Sequence, residues 1–436
     1  MKNSCKRASI SLLLGGLFVL TGTSVAAAEP GDGIEGDNFV LKFGVGAGAG
    51  VDTNLFSQND NQTIAPLLSV APGMSVRTLN TDVLDLSLDA GLNYRQFLSS
   101  NAAVQAQSGL SADVGAGVHF NRAGAFSLKI HDKLIRAVEA PYVLADQSVK
   151  RINNKLGVTA GIHPGGRALQ GFLSYSLQTF LFDFDASSYD QANKNEHDIG
   201  GKFAWQFLPK NAFYLDASYR LINYSSATRV VAGSTLANVN SRPLRVKAGL
   251  NGLLFERVGT LLELGYGRSN YTGLTTSFNG LLARVNLKYF LNEAGDSSFG
   301  VGYERDFSDA TLGNFVKFNR FSASYNQLAL NKRLSFSLDA GADLRSYDMS
   351  GVGALQLGTD GNGNVISADI PEVLSDIRFN GSAALGYNVR RWFNIGATYN
   401  LMSNISNTNI ATSSAVELPS RSFFRHMVGV NATLEY

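Results

Sequence analysis

Cysteine is all but missing from this sequence. Cys5 is the one cysteine in 436 residues, so the chain can build neither an internal disulfide nor a thiolate metal site. Proline is scarce, with 9 residues, and charged residues make up only 17%. Beyond the N-terminal segment there is no apolar run of the roughly 20 residues that a membrane-crossing helix needs, which excludes a helical membrane protein. No long segment carries a convincing ~3.6-residue period, as a soluble protein of this length would. A phosphate-cradling loop and a nucleic-acid motif are also lacking. What the chain holds in quantity is glycine, 45 residues, and aromatics, 10%.

Residues 1–28 read as a secretory signal peptide. Lys2, Lys6 and Arg7 form its basic start, Ile10 to Val19 its apolar stretch, and Ala26-Ala27-Ala28 supplies small residues for cleavage after Ala28. Cys5 precedes the apolar stretch, which argues against a lipoprotein acylation site. Cleavage would remove three basic residues and no acidic ones, taking Lys+Arg from 37 to 34 against 35 Asp+Glu. The remainder is then close to neutral, and the basic precursor is no argument for a nucleic-acid partner. Residues 29–37 are expected to form a short periplasmic segment, and 38–436 one domain.

That domain alternates with a period of two. Leu84, Leu86, Leu88, Ala90, Leu92 and Tyr94 interleave with Asp85, Ser87, Asp89, Gly91, Asn93 and Arg95. Leu334, Phe336, Leu338, Ala340, Ala342 and Leu344 interleave in the same way with Ser335, Ser337, Asp339, Gly341, Asp343 and Arg345. Successive side chains of a strand point to opposite faces, so each such segment has one apolar and one polar face. Strands are expected at 38–50, 63–77, 82–97, 108–121, 124–137, 149–163, 168–181, 196–208 and 211–224. A second half follows at 242–255, 259–270, 277–290, 297–306, 315–328, 333–346, 376–390, 392–402 and 420–436. Most are long enough to cross a bilayer at a tilt.

The connections alternate as well. Asn121–Gly124, Pro164–Arg167, Pro209-Lys210, Glu256–Val258 and Arg390-Arg391 are tight turns, whereas 51–62, 138–148, 182–195, 225–241, 347–375 and 403–419 are long. Short periplasmic turns and longer extracellular loops are the pattern of an outer-membrane barrel. The fold class expected is therefore all-β: a transmembrane antiparallel up-and-down barrel of 16–18 strands, with eighteen favoured. A soluble sandwich would need shorter strands, and a propeller a repeated blade of ~40–50 residues that is not seen. The chain closes on Val430, Ala432, Leu434 and Tyr436 along one face, similar to the signal read by the barrel assembly machinery. Tyr94, Tyr266, Tyr289, Tyr303, Tyr325, Tyr387, Trp392 and Phe393 suit the headgroup girdles, and His426 is placed near an interface.

The polar faces should line the lumen. By parity they carry Lys42, Arg77, Arg95, Lys129, Lys133, Arg151, Lys155, Lys202, Arg220, Arg245, Lys247, Arg284, Lys288, Arg320, Arg345, Arg378 and Arg390. The acidic set is Asp85, Asp89, Asp113, Asp198, Asp216, Glu263, Glu304, Asp339 and Asp343. Basic residues outnumber acidic ones, which predicts a preference for anions. The competing reading is a cross-strand salt-bridge lattice that only stabilises the wall, as Asp113 beside Lys129 or Lys133 would. The long loop 347–375 is a candidate constriction or lid. Its Asp360–Asn364 run begins like a calcium loop but lacks the required glycine and final glutamate. The five histidines, His119, His131, His163, His197 and His426, are scattered without metal-ligand spacing. No metal, cofactor or enzymatic activity is expected.

Val51–Phe56 after Gly44–Gly50, His163–Arg167, Phe207–Ala212 and Gly302–Asp306 together span nearly all of the domain. They resemble landmarks of a family of outer-membrane β-barrel porins, the second family of that name, associated with exopolysaccharide biosynthesis. The resemblance implies a channel for exopolysaccharide export, working with periplasmic polysaccharide-export proteins and, given the basic lumen, an anionic polysaccharide. The alternatives are a general diffusion or solute-uptake channel and a closed, surface-structural barrel. The other partners expected are outer-membrane lipid and the assembly machinery.

Overall fold

The computed structural model describes residues 33–36, 38–79, 82–139, 149–164, 168–183, 193–231, 234–272, 276–309, 314–348, 350, 355–359, 365–368, 373–406 and 422–436. The expected signal peptide and its cleavage site at Ala28 lie outside the described residues.

Among the described residues, eighteen long strands form one antiparallel sheet closed on itself. The first six are β1 (Phe39–Asp52), β2 (Ala65–Thr78), β3 (Leu84–Phe97), β4 (Gly109–Phe120), β5 (Phe126–Glu139) and β6 (Val149–Ile162). Then come β7 (Leu169–Asp183), β8 (Lys194–Leu208), β9 (Asn211–Tyr224), β10 (Ser241–Phe255), β11 (Val258–Tyr271) and β12 (Ser277–Phe290). The last six are β13 (Ser297–Asp309), β14 (Phe315–Ala329), β15 (Leu334–Asp348), β16 (Val373–Arg390), β17 (Phe393–Ser406) and β18 (Phe423–Glu435). Each expected segment holds one strand. Elements not foreseen are the short strand Ile34–Glu35 against β1, the loop hairpins 228–237 and 355–368, and a short helix at Ala102–Gln105.

Every strand pairs with its neighbours in the chain, and β18 returns to β1 from Gly44↔Glu435 to Asp52↔Met427. At the lower rim Phe43 and Tyr436 exchange N–H···O=C bonds of 2.9 and 2.8 Å. This closes the ring, the condition for a sheet to stand in hydrocarbon. The small side of β1 helps it close. A Cβ at Gly50 would meet the Val428 carbonyl oxygen at 2.7 Å, and one at Gly48 the Val430 carbonyl at 3.1 Å.

The alternation separates two faces. Leu86, Leu88, Leu92 and Tyr94 of β3 are exposed on the outside, as are Leu262, Leu264 and Tyr266 of β11 and Val428, Val430 and Leu434 of β18. Such an apolar belt would be a liability in water and matches a bilayer. No helix is long and apolar enough to cross a membrane; this chain crosses with strands. Tyr–His pairs stand on the outer wall towards the loop end, Tyr175 with His197 and Tyr399 with His426, each at 2.9 Å. One carboxylate breaks the apolar pattern. Asp132 of β5 faces outward and accepts both its hydrogen bonds from the Asn154 amide of β6, at 3.1 and 3.2 Å.

Candidate functional site: the lumen and its two walls

The inner face carries the residues that alternate with the exposed apolar ones. Arg95, Lys129, Lys133, Arg151, Lys155, Lys202, Arg220, Arg245, Lys247, Arg284, Lys288, Arg345 and Arg378 lie on it. Asp85, Asp89, Asp113, Asp339 and Asp343 share that face. Arg390 does not. A register shift between Asn388 and Arg390 sets it opposite Phe393, on the side of the exposed Ile395. A bulge inserts one residue, so parity counted along the strand fails beyond it.

The charges on the inner face fall into two regions. From β8 to β16 they form a lattice. Glu263, Arg284, Glu304, Arg320, Asp343 and Arg378 stand directly opposite one another on six consecutive strands, a row of strictly alternating sign. Arg284 bridges Glu263 and Glu304, and Arg320 holds Asp343 through two bonds of 2.7 and 3.1 Å. Arg345 adds a third at 2.7 Å. Nearby, Lys194 and Arg220 clamp Glu196, and Arg220 also reaches Asp198 at 2.8 Å. Opposite-charge pairs facing across strands contribute roughly 0.2–1 kcal/mol each, and they leave little net field.

The second region is β5 and β6. Lys133 and Lys155 are direct cross-strand partners, an arrangement of like charges that is destabilising by itself. Lys129, His131 and Arg151 share their face. The adjoining inner face of β7 carries Gln170, Phe172, Ser174, Ser176 and Gln178, with no charge. Asp113 of β4 reaches Lys133 at 3.1 Å. Among the described residues, neither Lys129 nor Lys155 has a carboxylate within ion-pair distance. The inner charges are thus paired across the strands from β11 to β16, whereas like charges face each other across β5 and β6.

The lumen is narrowed from the side opposite this basic wall. β5 and β14 stand nine places apart in the ring of eighteen. Pairing between β12 and β13 stops at Ala283↔Arg305, whereas β13 and β14 stay zipped to Asp309↔Phe315. The outer ends of β13 and β14 thus leave the wall together and lean inward across β12 and β11. Asp306 is met there by Arg245 at 3.0 Å and Lys247 at 3.5 Å, both from β10. Asp309 accepts from the Ser241 hydroxyl at 2.5 Å. Beneath them Phe307 stacks on Phe278 with ring centroids 3.8 Å apart, and Tyr271, Leu282 and Phe315 complete a buried cluster. Gly267 makes room for it, because a Cβ there would lie 2.6 Å from the Phe307 ring.

A second inward fold covers the rim above β1–β3. Leu55, Phe56 and Val104 of the first two outer loops are buried against Leu67 and Phe97. Asp52 anchors it, accepting from the Arg425 guanidinium at 3.0 Å. Asn54 turns the chain, its amide donating to the carbonyls of Gln58 at 2.7 Å and Phe424 at 2.8 Å. The Asp-Thr-Asn-Leu-Phe run, singled out in the sequence as a family landmark, is here a clasp between the first and last strands. The loop expected to constrict the pore, 347–375, is described in part as the hairpin Leu355–Thr359 with Val365–Ala368. Its Asp360–Asn364 run lies outside the described residues. Among the described residues, no group of three or more His, Cys, Asp or Glu could hold a metal ion.

No protein-family model matches the sequence, and no curated protein matches it. Among solved structures, the chain is similar to Pseudomonas aeruginosa OpdK with vanillate, at 12% identity and TM-score 0.47, covering 91% of this chain and 99% of that one. It is similar to Acinetobacter baumannii OccAB3 at 11% identity and TM-score 0.46, covering 92% and 100%. The alcaligin outer-membrane receptor FauA of Bordetella pertussis follows at 11% identity and TM-score 0.43, covering 90% and 76%. At this distance nothing is carried over from those proteins to this chain.

Proposed function

We propose that the chain is an outer-membrane diffusion channel for small anionic solutes. The observation that carries this is the asymmetry of the lumen: a basic wall at Lys129, Lys133 and Lys155 faces a narrowing where Asp306 is paired with Arg245 and Lys247. An eighteen-strand barrel is wide enough for an aqueous path, and charges left unneutralised on its wall set the sign of the ions that pass. The sequence resemblance implied exopolysaccharide export. No family model supports that resemblance, and the two inward folds at the loop end suit small solutes better than a stiff polymer leaving the cell. Solute uptake, the alternative reading of the sequence, therefore comes first.

Reversal potentials in a planar bilayer under a potassium chloride gradient test it. Chloride should permeate in preference to potassium, and Lys129→Gln with Lys155→Gln should bring the ratio close to one. A wild-type channel selective for potassium would refute the proposal, as would a folded barrel that never conducts.

A further inference from the structure

We propose that a recess in the outer wall at the loop end seats one phosphate-bearing lipid of the outer leaflet. The inward lean of β13 and β14 has a consequence on the other side of the sheet. Where the strands withdraw from β12, they leave a cavity of about 370 Å³. Its lining includes Arg305, Lys317 and Asn319, at odd positions of β13 and β14, with Leu281, Leu344 and Ile377. All six have the parity of the lipid-facing side, as do Phe307 and Phe315, which the lean buries. Leu281 and Leu344 are 72% and 42% exposed, and the Lys317 ammonium stands 5.9 Å from the Phe315 ring centroid.

The composition of this recess matches an amphiphile. Arg305 and Lys317 are two cations beside Leu281, Leu344 and Ile377, in a lining that also holds Ser346, Ser375, Arg345 and Asp376. Among the described residues, neither lies within ion-pair distance of a carboxylate. Asp306, also in the lining, is held by Arg245 and Lys247. An unpaired cation beside hydrocarbon is costly unless an anion meets it. A guanidinium binds a phosphate through two parallel bonds and a lysine adds a point charge. The leucines and the isoleucine give the acyl chains a surface. The height is right as well: Tyr266, of the girdle, stands opposite Leu281, and its hydroxyl donates to Asn279 at 2.7 Å, two residue pairs closer to the loops. The recess thus opens at headgroup level. Other outward cations near the loop end, Arg242 and Arg268, stand on neighbouring strands whose pairing there is unbroken. This seat faces away from the lumen and does not depend on the ion selectivity proposed above.

The test is native mass spectrometry of the purified barrel in detergent, titrated with diphosphoryl lipid A. One lipid should bind the wild type tightly, and Arg305→Gln with Lys317→Gln should weaken that site at least tenfold. Arg242→Gln with Arg268→Gln should leave it unchanged. Heat-modifiable gel mobility would show that each variant is folded. Equal loss in both double variants would mean diffuse attraction of charge and would overturn the seat. So would displacement of the lipid by equimolar inorganic pyrophosphate, which would make the ligand a free anion.

Discussion

Two walls of one barrel, built from the same residue types in the same alternation, treat charge in opposite ways. From β11 to β16 charges of alternating sign face one another across the ladder, in the row Glu263, Arg284, Glu304, Arg320, Asp343, Arg378. On β5 and β6 the ladder instead sets Lys133 against Lys155. The first arrangement uses charge to hold strands together and fix their register. The second, on the function proposed above, gives up stability to keep a field in the water of the pore. An overall excess of basic residues would not distinguish them; only register does.

The largest effect should come from breaking the lattice at its most enclosed point. The Asp343 side chain is 2% exposed and holds both Arg320 and Arg345. Asp343→Ala would remove the carboxylate that both guanidinium groups share and leave Arg320 with Glu304 at 3.6 Å; breaking a buried pair costs about 3–5 kcal/mol. The urea midpoint of the refolded barrel should fall steeply, with ion selectivity little changed. If stability held and selectivity moved, the lattice would be part of the pore and the division between walls would be wrong.

How far the sequence reveals this division follows from what alternation can encode. Parity alone assigns faces, so it places the eighteen strands and puts Lys133 and Asp343 on the same side of the sheet. Pairing depends on stagger, which the loops and closure set together. Asp113 with Lys133 was foreseeable, since a tight turn joins β4 to β5 and fixes which residues meet. Lys133 opposite Lys155 was not, because the long connection 140–148 lies between them. The inward lean was invisible for another reason. Phe307 and Phe315 have the parity of lipid-facing residues, and the sequence reading ended that strand at Asp306, where pairing with β12 has just been lost. Their burial, at 1% and 4% exposure, comes from a departure of the backbone from the wall. The small Gly267 facing Phe307 is the nearest thing to a sequence signal, and it can be read only once the strands are in register.

That lean gives the next test. Phe307→Ala would remove the ring stacked on Phe278 and leave a cavity, a change that costs about 3–5 kcal/mol in a closed core. Part of that cost should appear as loosening of the leaning ends, whose charge contacts to Arg245 and Lys247 would remain. Single-channel recordings should show higher or noisier conductance with anion preference kept, since the basic wall is untouched. Unchanged conductance would mean that the path bypasses the leaning segment.

The smallest effect is also the most discriminating. Lys155→Glu would convert the like-charge pair into an opposite-charge one of the kind found across the barrel, facing Lys133. If the two lysines repel in the folded barrel, the variant should be more stable, by roughly 0.2–1 kcal/mol for a cross-strand ion pair. Its anion preference should fall at the same time. Stability and selectivity would then move in opposite directions, as expected of residues kept for passage rather than for folding. A drop in both would say instead that Lys155 already has a structural counter-charge, and the basic wall would become a second lattice. Added salt separates the cases further. It screens charges in open water, so the stability gain should shrink towards molar salt if Lys155 faces the pore and persist if it is enclosed.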